Sequence, residues 1–319
     1  MRTLPINRPT IPTGAEPPDP ALADKPVRVG AEWLALREEA DARARSTELA
    51  DRLSALLRRR TGDAGRAMEI HDLGAGTGSM ARWLAPRLSG PQRWVLHDRD
   101  QDLLDAAARA TITGRSDVAI DASIGDVTAL APGTLDRADL VTASALLDLF
   151  TLPELDGVIA AWRPLGCPLL VALTVTGRVR LDPADPLDAA VARAFNAHQR
   201  RPARGAGLLG PVAVPTAIRR LSASGAIVRT RAAPWRLGSA DRPLIVPWLR
   251  GWIAAAMEQR PDLRTVAAGY LDRRLEQAAM GTLRVVVQHQ DLLAVPAIGF
   301  PELLDGQHLS SDPAVGSRP

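Results

Sequence analysis

The stretch Ile70-His71-Asp72-Leu73-Gly74-Ala75-Gly76-Thr77-Gly78 decides the fold of this chain, and it leads directly into Ser79-Met80-Ala81-Arg82-Trp83-Leu84. A short apolar run, three alternate glycines and an amphipathic run are typical of a strand, a tight turn and the start of a helix. Glycine adopts backbone torsions closed to other residues and lets a ligand approach without meeting a Cβ atom. The stretch therefore predicts a cofactor-binding turn.

The spacing of the glycines limits the kind of cofactor. A dinucleotide-binding turn has the pattern G-x-G-x-x-G, whose third glycine would fall at position 79, where this chain has Ser79. The pattern here is D-x-G-x-G-x-G. Its acid, Asp72, favours a cationic or hydroxyl-rich ligand over a pyrophosphate, which binds bare amides at a helix N-terminus. An ordinary glycine-rich turn is the alternative interpretation.

Three further strand patterns follow the glycines at the spacing of βα units. An apolar run over 93–98 ends in Asp98, a run over 118–124 comes just before Asp126, and a run over 138–144 ends at Ser144. Alternating strands and helices predict a parallel sheet, whose ligands bind beyond the carboxyl ends of the strands. These side chains, with Asp72, all fall at such ends.

Taken together, these motifs resemble those of class I S-adenosylmethionine-dependent methyltransferases. The resemblance implies an α/β fold, a Rossmann-like three-layer sandwich around a mostly parallel, seven-stranded sheet. It also implies S-adenosylmethionine as the cofactor, with Asp98 on the ribose hydroxyls and Asp126 near the adenine amino group. The other residues of the predicted cofactor site are Asp72, Gly74, Gly76, Gly78, Arg99, Val127 and Ser144.

Two of these acids also have ordinary structural interpretations. Asp98 and Asp100 both precede a helical run, and aspartate commonly caps helices. If Asp100 is the cap, Asp98 is left for the ligand. Asp126 follows a strand, where turn formation is the alternative role.

The composition fits a globular enzyme. The chain has 319 residues, of which 46% are hydrophobic and 24% charged, enough to bury a sizeable core. Its single cysteine, Cys167, lies in an apolar run and is predicted to be a buried, reduced thiol. Neither a signal peptide nor an apolar run of the ~20 residues that a membrane helix needs is visible, so we expect a cytoplasmic protein.

The charge balance argues against nucleic acid as a partner. The sequence pI is near 9.9, yet the formal net charge is only +3. Arginine supplies nearly all of the positive charge, and its high pKa raises a pI without a large charge at neutral pH. Short clusters such as Arg200-Arg201 are typical of solvated helix faces.

Proline content and helical periodicity divide the chain. We predict a disordered proline-rich arm over 1–27, a helical segment over 28–60, a methyltransferase domain over 61–295 with helical insertions at about 178–211 and 238–281, and a flexible tail over 296–319. In related methyltransferases the segment before the first strand often covers the cofactor. Arg37, Glu38 and Asp41 then face the site, unless Arg37 and Asp41 only form an exposed i,i+4 pair. The insertions would form a lid that excludes water.

Candidates for the acceptor side are His198 and Asp148. His198 ends a helical run and is a candidate general base, with a place in the core as the alternative. Asp148 follows the fourth strand, where its alternative is a helix start or a salt bridge. His289 and Asp291 are weaker candidates. An apolar substrate wall or plain helix packing explains the aromatic residues Trp235, Trp248, Trp252 and Tyr270.

The function predicted from these features is methyl transfer from S-adenosylmethionine to an O or N atom of a small-molecule metabolite, by a monomer or homodimer with no metal. The first alternative is an RNA methyltransferase of the same fold. Against it stands Ala143-Ser144-Ala145-Leu146, where base-amino methyltransferases often have N-P-P-Y or D-P-P-Y. The second alternative is a non-catalytic, regulatory protein that binds S-adenosylmethionine.

Overall fold

A computed structural model of the chain describes residues 29–61, 66–110 and 116–297. Almost all of the predicted arm over 1–27 and the tail over 296–319 lies outside these residues. The strands are β1 Met68–Leu73, β2 Gln92–Asp98, β3 Val118–Ile124, β4 Leu140–Ser144, β5 Leu169–Asp182, β6 Pro202–Ala203, β7 Ala206–Gly207, β8 Ala226–Ala232, β9 Trp235–Leu237 and β10 Arg284–Pro296. The α-helices are α1 Ala31–Ala44, α2 Thr47–Thr61, α3 Ser79–Leu84, α4 Gln101–Arg109, α5 Leu152–Trp162, α6 Asp188–His198, α7 Ala213–Ala223, α8 Arg242–Gln259 and α9 Arg264–Ala279.

Seven strands form the central sheet in the order β3-β2-β1-β4-β5-β10-β8, and the short β9 pairs with β10 as an eighth. The pairs from β3 to β5 are parallel, while β10 runs antiparallel to its neighbours β5, β8 and β9. The predicted α/β sandwich is confirmed. Because β1 lies between β2 and β4, the glycine turn that follows β1 sits at the middle of the carboxyl edge, where doubly wound sheets bind ligands.

Three hydrophobic clusters hold the layers together. One face of the sheet packs on α2, α3 and α4 around Trp94, and the other packs on α5 and α7 around Phe150 and Trp162. The third cluster joins α1, α6, α8 and α9 to the outer ends of β5 and β10. Cys167 is buried in the second cluster as a reduced thiol, as predicted.

The first insertion begins later than the sequence indicates. Gly177 was expected to end the fifth strand, but β5 continues to Asp182 because β10 pairs with it along its whole length. A register shift lies beside Gly177, whose φ is +74° and whose Cβ, if present, would lie 2.7 Å from Pro211 Cβ. The glycine therefore serves a bulge within a strand rather than its end.

Candidate functional site

A cavity of about 630 Å³ opens at the carboxyl ends of β1, β2 and β4, a volume within the range of small-molecule sites. The glycine turn and the strand ends form its floor. Helix α1 covers it through Trp33, Leu34 and Arg37, and the β6–β7 hairpin closes it at the β4 end. Every residue of the predicted cofactor site except Gly78 lines this cavity.

The glycine turn requires glycine at all three positions. Gly74, Gly76 and Gly78 have φ of +63°, +55° and +78°, which other residues rarely adopt. A Cβ at Gly74 would lie 2.8 Å from Leu146 Cδ1, and one at Gly76 would lie 3.0 Å from Leu34 Cδ1. The turn is therefore packed closely between the loop after β4 and helix α1. It forms a cradle whose space a side chain at either glycine would fill.

We expect Gly74→Ala to lower the free energy of unfolding by about 1–2 kcal/mol from backbone strain, and by more if Leu146 cannot shift. Gly90→Ala is the matched control, because Gly90 also has a positive φ, +79°, but nothing within 4 Å of a Cβ. Urea unfolding of both variants gives the two losses in the free energy of unfolding. Because both glycines have a positive φ, the difference between the two losses measures the contact with Leu146. Equal losses would show that the turn is not closely packed.

Asp98 links the second strand to the glycine turn. Its Oδ2 accepts a hydrogen bond from Gly76 N at 2.8 Å, and its Oδ1 accepts one from Asp100 N at 3.0 Å. Asp100 caps α4 by accepting from Asp102 N. Asp100 is thus the helix cap, and the carboxylate of Asp98 lines the cavity with lone pairs left for a ligand's hydroxyls.

Asp126 combines the two roles that the sequence leaves open. Its Oδ1 accepts hydrogen bonds from Thr128 N and Thr128 Oγ1, at 2.9 and 2.7 Å, and so closes the turn after β3. The residue also lines the cavity beside Val127 and Arg99. Turn formation uses one oxygen only, so the other is available to a ligand.

Asp72 is the most buried acid of the site. Its Oδ1 accepts a hydrogen bond from Thr142 Oγ1 at 2.7 Å, and its Oδ2 has no partner among the described residues. Burial raises the pKa of this carboxyl to about 6. An unpaired buried oxygen at a cavity wall fits the cationic ligand that the glycine pattern favours.

Arg45 is a site residue that the sequence reasoning missed. It is buried, and its Nη2 donates to Ser79 Oγ at 3.0 Å and to Ser144 Oγ at 3.1 Å. It thereby ties the start of α3 to the end of β4 beneath the cavity. Burial lowers its pKa, an effect opposed by the charges of Asp41 and Asp72. Nothing in the local sequence marks this arginine, because its partners lie on two distant elements.

Helix α1 brings Arg37 and Asp41 to the cavity as a pair. Arg37 Nε donates to Asp41 Oδ2 at 2.9 Å, and Trp235 Nε1 donates to Asp41 Oδ1 at 2.9 Å. Both residues line the cavity, and the Arg37 guanidinium lies 5.1 Å from the Trp235 ring centroid. The i,i+4 pair and the site-facing position therefore coexist. Glu38 instead pairs with Arg82 and fastens α1 to α3.

Asp148 lies just behind the cavity wall, between the lining residues Leu146 and Leu149. It is buried, and its Oδ1 has no partner among the described residues. Burial raises its pKa to about 6, an effect that the nearby charge of Arg37 partly offsets. A carboxyl group with a pKa near neutrality is suited to take up a proton.

The other acceptor-side candidates lie outside the cavity. His198 Nε2 contacts Glu258 Oε2 at 3.2 Å, because the last turn of α6 packs toward α8. His289 is buried against Trp235. Asp291 accepts from Leu173 N at 2.7 Å, where β5 has a left-handed residue, and from Ser46 N at 2.8 Å. These positions argue against contact with a substrate, and for Asp291 they indicate a structural role.

The second insertion does not roof the site as expected. Trp252 and Tyr270 are buried and Trp248 stacks on Trp252, so these side chains fill the third hydrophobic cluster. Trp235 is buried in the same cluster. The apolar wall near β4 comes instead from Leu146, Leu149, Phe150 and Leu208. Helix packing, the alternative interpretation, explains the aromatic residues of the insertion.

Neither a metal-binding cluster nor a membrane-spanning helix is found among the described residues. No group of three or more His, Cys, Asp or Glu side chains in this part of the chain is arranged to hold a metal ion. Within the same residues, no helix has the length and apolar character needed to cross a membrane.

One protein-family model and several solved structures are similar to this chain. Residues 70–165 match the family model of a methyltransferase domain, and no curated protein matches the chain. Among solved structures, the chain is similar to an S-adenosylmethionine-dependent methyltransferase from Geobacter sulfurreducens in complex with S-adenosyl-L-homocysteine (17% identity, 86% of this chain and 99% of that chain, TM-score 0.43). An S-adenosylmethionine-dependent methyltransferase from Thiobacillus denitrificans is also similar (16% identity, 84% of this chain and 100% of that chain, TM-score 0.42). A third similar structure is a geranyl diphosphate C-methyltransferase from Streptomyces coelicolor (12% identity, 78% of this chain and 77% of that chain, TM-score 0.37).

The family match covers the stretch that forms the glycine turn and carries Asp98 and Asp126. S-adenosylmethionine is the cofactor of that family, and the unpaired Asp72, the free lone pairs of Asp98 and the glycine cradle fit it. Residues 70–165 are accordingly similar to a methyltransferase domain.

Proposed function

We propose that the protein transfers a methyl group from S-adenosylmethionine to an O or N atom of a small-molecule metabolite. The observation that carries this proposal is the shape of the cavity. It continues from the cofactor wall at Asp98 to an apolar wall at Leu149 and Phe150, beneath α1 and the hairpin. A site of about 630 Å³ covered in this way suits a small acceptor better than a polynucleotide.

The roles proposed for the cofactor site follow its position. Asp98 and Asp126 would hold the nucleoside of the cofactor, and the glycine turn, Asp72 and Ser144 would hold its cationic part. When bound, S-adenosylmethionine supplies a methyl group already activated for displacement by an acceptor lone pair, the electron pair of the broken C–S bond staying on sulfur. The residues of this chain then need only to align the acceptor and exclude water.

Asp148 is the proposed base. Methylation of a hydroxyl or an amine releases a proton, and a carboxylate close to the acceptor can take it. Asp148 follows the strand end that faces the methyl group, and one of its oxygens is unpaired among the described residues. We do not assign this role to His198, which contacts Glu258 instead.

A labelled-methyl assay tests the proposed function. The full chain is incubated with S-adenosylmethionine carrying a labelled methyl group and with a cell extract separated by size. We expect label in the small-molecule fraction. Label only in RNA would favour the RNA methyltransferase alternative, and cofactor binding without transfer to any fraction would favour the regulatory one.

A further inference from the structure

The charged residues that line the cavity are divided between its two ends. The cofactor end carries the carboxylates Asp72, Asp98, Asp100 and Asp126 together with Arg99, whereas the end near the β6–β7 hairpin carries Arg201 and Arg204; the pair Arg37 and Asp41 lines the cavity from α1. The cationic cofactor suits the first end. The second end is suited to a negatively charged group.

Two of the three arginines at the hairpin end and on α1 already have acidic partners. Arg37 pairs with Asp41, and Arg204 pairs with Glu154 while its Nη2 donates to Leu149 O at 2.9 Å. Arg201 has no carboxylate within ion-pair distance among the described residues. Its Nη1 contacts only His198, at the carbonyl oxygen (3.2 Å) and at Nδ1 (3.4 Å). Arg201 therefore contributes a positive charge that no acid in the described part of the chain neutralises.

The hairpin holds Arg201 in a defined place relative to the loop after β4. Leu209 N donates to Phe150 O at 2.7 Å, Leu208 pairs with Thr151, and Leu208 N donates to Arg201 O at 3.2 Å. The same loop carries Asp148. A molecule seated against this wall thus meets apolar side chains and one unneutralised guanidinium, and the proposed base lies just behind the wall.

The geometry points to an acceptor that is a monocarboxylate with an apolar body, bound through its carboxylate to Arg201. A single uncompensated cation neutralises one negative charge, so a carboxylate fits better than a doubly charged phosphate. The apolar body lies against Leu146, Leu149, Phe150 and Leu208. This inference rests on the proposed function and names its substrate class.

His198 acquires a different role in this arrangement. Burial and the charge of Arg201 lower its pKa, so the ring is neutral at physiological pH. With its proton on Nε2, toward Glu258, the ring offers Nδ1 to Arg201. His198 therefore helps to hold Arg201 in place, from a position outside the cavity.

Calorimetry on the full chain saturated with S-adenosyl-L-homocysteine tests the inference. The probes are phenylacetate, 3-phenylpropionate and octanoate, each beside its neutral amide. We expect at least one acid to bind about tenfold more tightly than its amide. Arg201→Met should lower the affinity of that acid by about 10- to 100-fold and leave the amide unchanged, because a hydrogen-bonded charge is lost. The matched control is Arg200→Met, at the exposed neighbouring residue, which should change neither.

Several results would overturn the inference: no acid binds the wild type, acid and amide bind alike, or Arg201→Met keeps full affinity. Tighter binding of phenyl phosphate than of phenylacetate would likewise reject the carboxylate. Failure of S-adenosyl-L-homocysteine itself to bind would instead count against the proposed function. The titrations with the three acids are therefore repeated in the absence of S-adenosyl-L-homocysteine, so that carboxylate binding by Arg201 is tested separately.

Discussion

Asp98→Ala is expected to weaken the binding of S-adenosylmethionine by at least about 100-fold. In the proposed cofactor site the carboxylate would accept two hydrogen bonds from ribose hydroxyls, and hydrogen bonds to a charged group contribute about 1.5–3 kcal/mol each. The substitution also removes the bond from Gly76 N, 2.8 Å long, which fastens the glycine turn. Both effects reduce affinity, the first through lost contacts and the second through a less ordered turn.

Calorimetry with S-adenosyl-L-homocysteine measures this loss without requiring an acceptor. Asp105→Ala serves as the control, since Asp105 is an exposed acid on the helix that follows Asp98 and, among the described residues, its side chain accepts a hydrogen bond only from Gln101. We expect Asp105→Ala to bind as the wild type does. If Asp98→Ala also bound normally while remaining folded, the placement of the ribose at Asp98 would be wrong.

Asp148→Asn is expected to lower kcat by about 10²- to 10⁴-fold, the usual contribution of a general base. The amide has nearly the same shape as the carboxyl but cannot take a proton. The measurement uses the acceptor identified by the labelled-methyl assay. A kcat within a fewfold of the wild type would exclude Asp148 as the base.

The same variant is expected to be more stable than the wild type at neutral pH. In the folded protein the pKa of Asp148 is about 6, above the ordinary value of 3.8, so between these values the folded state holds a proton that the unfolded state has lost. The wild type therefore loses stability as pH rises through this window, and the variant lacks this loss. The difference in the free energy of unfolding between the variant and the wild type should grow from near zero below pH 4 to as much as about 3 kcal/mol above pH 7.

Urea unfolding of both proteins across this pH range checks the trend. Asp156→Asn is the control, because Asp156 forms an exposed ion pair with Arg220 and should change stability by less than about 1 kcal/mol. A stability difference for Asp148→Asn that does not grow with pH would show that the carboxyl is not a buried charge in the wild type.

Local sequence patterns were sufficient for the sheet and for the glycine turn that lines the cavity. The glycine turn, the acid at the end of the second strand and the helix cap at Asp100 depend on neighbours along the chain. Their spacing therefore carried the prediction, which the topology of the sheet bears out for the fold. Gly177 shows where this reasoning fails, because a glycine inside a long strand looks locally like a glycine that ends one.

The acceptor side depended on contacts between distant segments. His198, the first candidate from sequence, is turned toward Glu258 because α6 and α8 pack together, whereas Arg201, three residues later, lies on the cavity wall. Arg45 is buried beneath the cavity only because Ser79 and Ser144 meet there. Likewise, the tryptophans of the second insertion lie in the third hydrophobic cluster and not on the cavity wall.

The sequence by itself determined the fold class and the residues of the glycine turn, because those features arise from torsion angles and periodicity within a few residues. Only the tertiary structure decided which charges line the acceptor end of the cavity. Arg204 pairs with the distant Glu154, whereas Arg201 has no acidic partner among the described residues, and burial of the loop after β4 raises the pKa of Asp148. Neither the ion-pair partners of the arginines nor the burial of Asp148 can be predicted from the local spacing of residues.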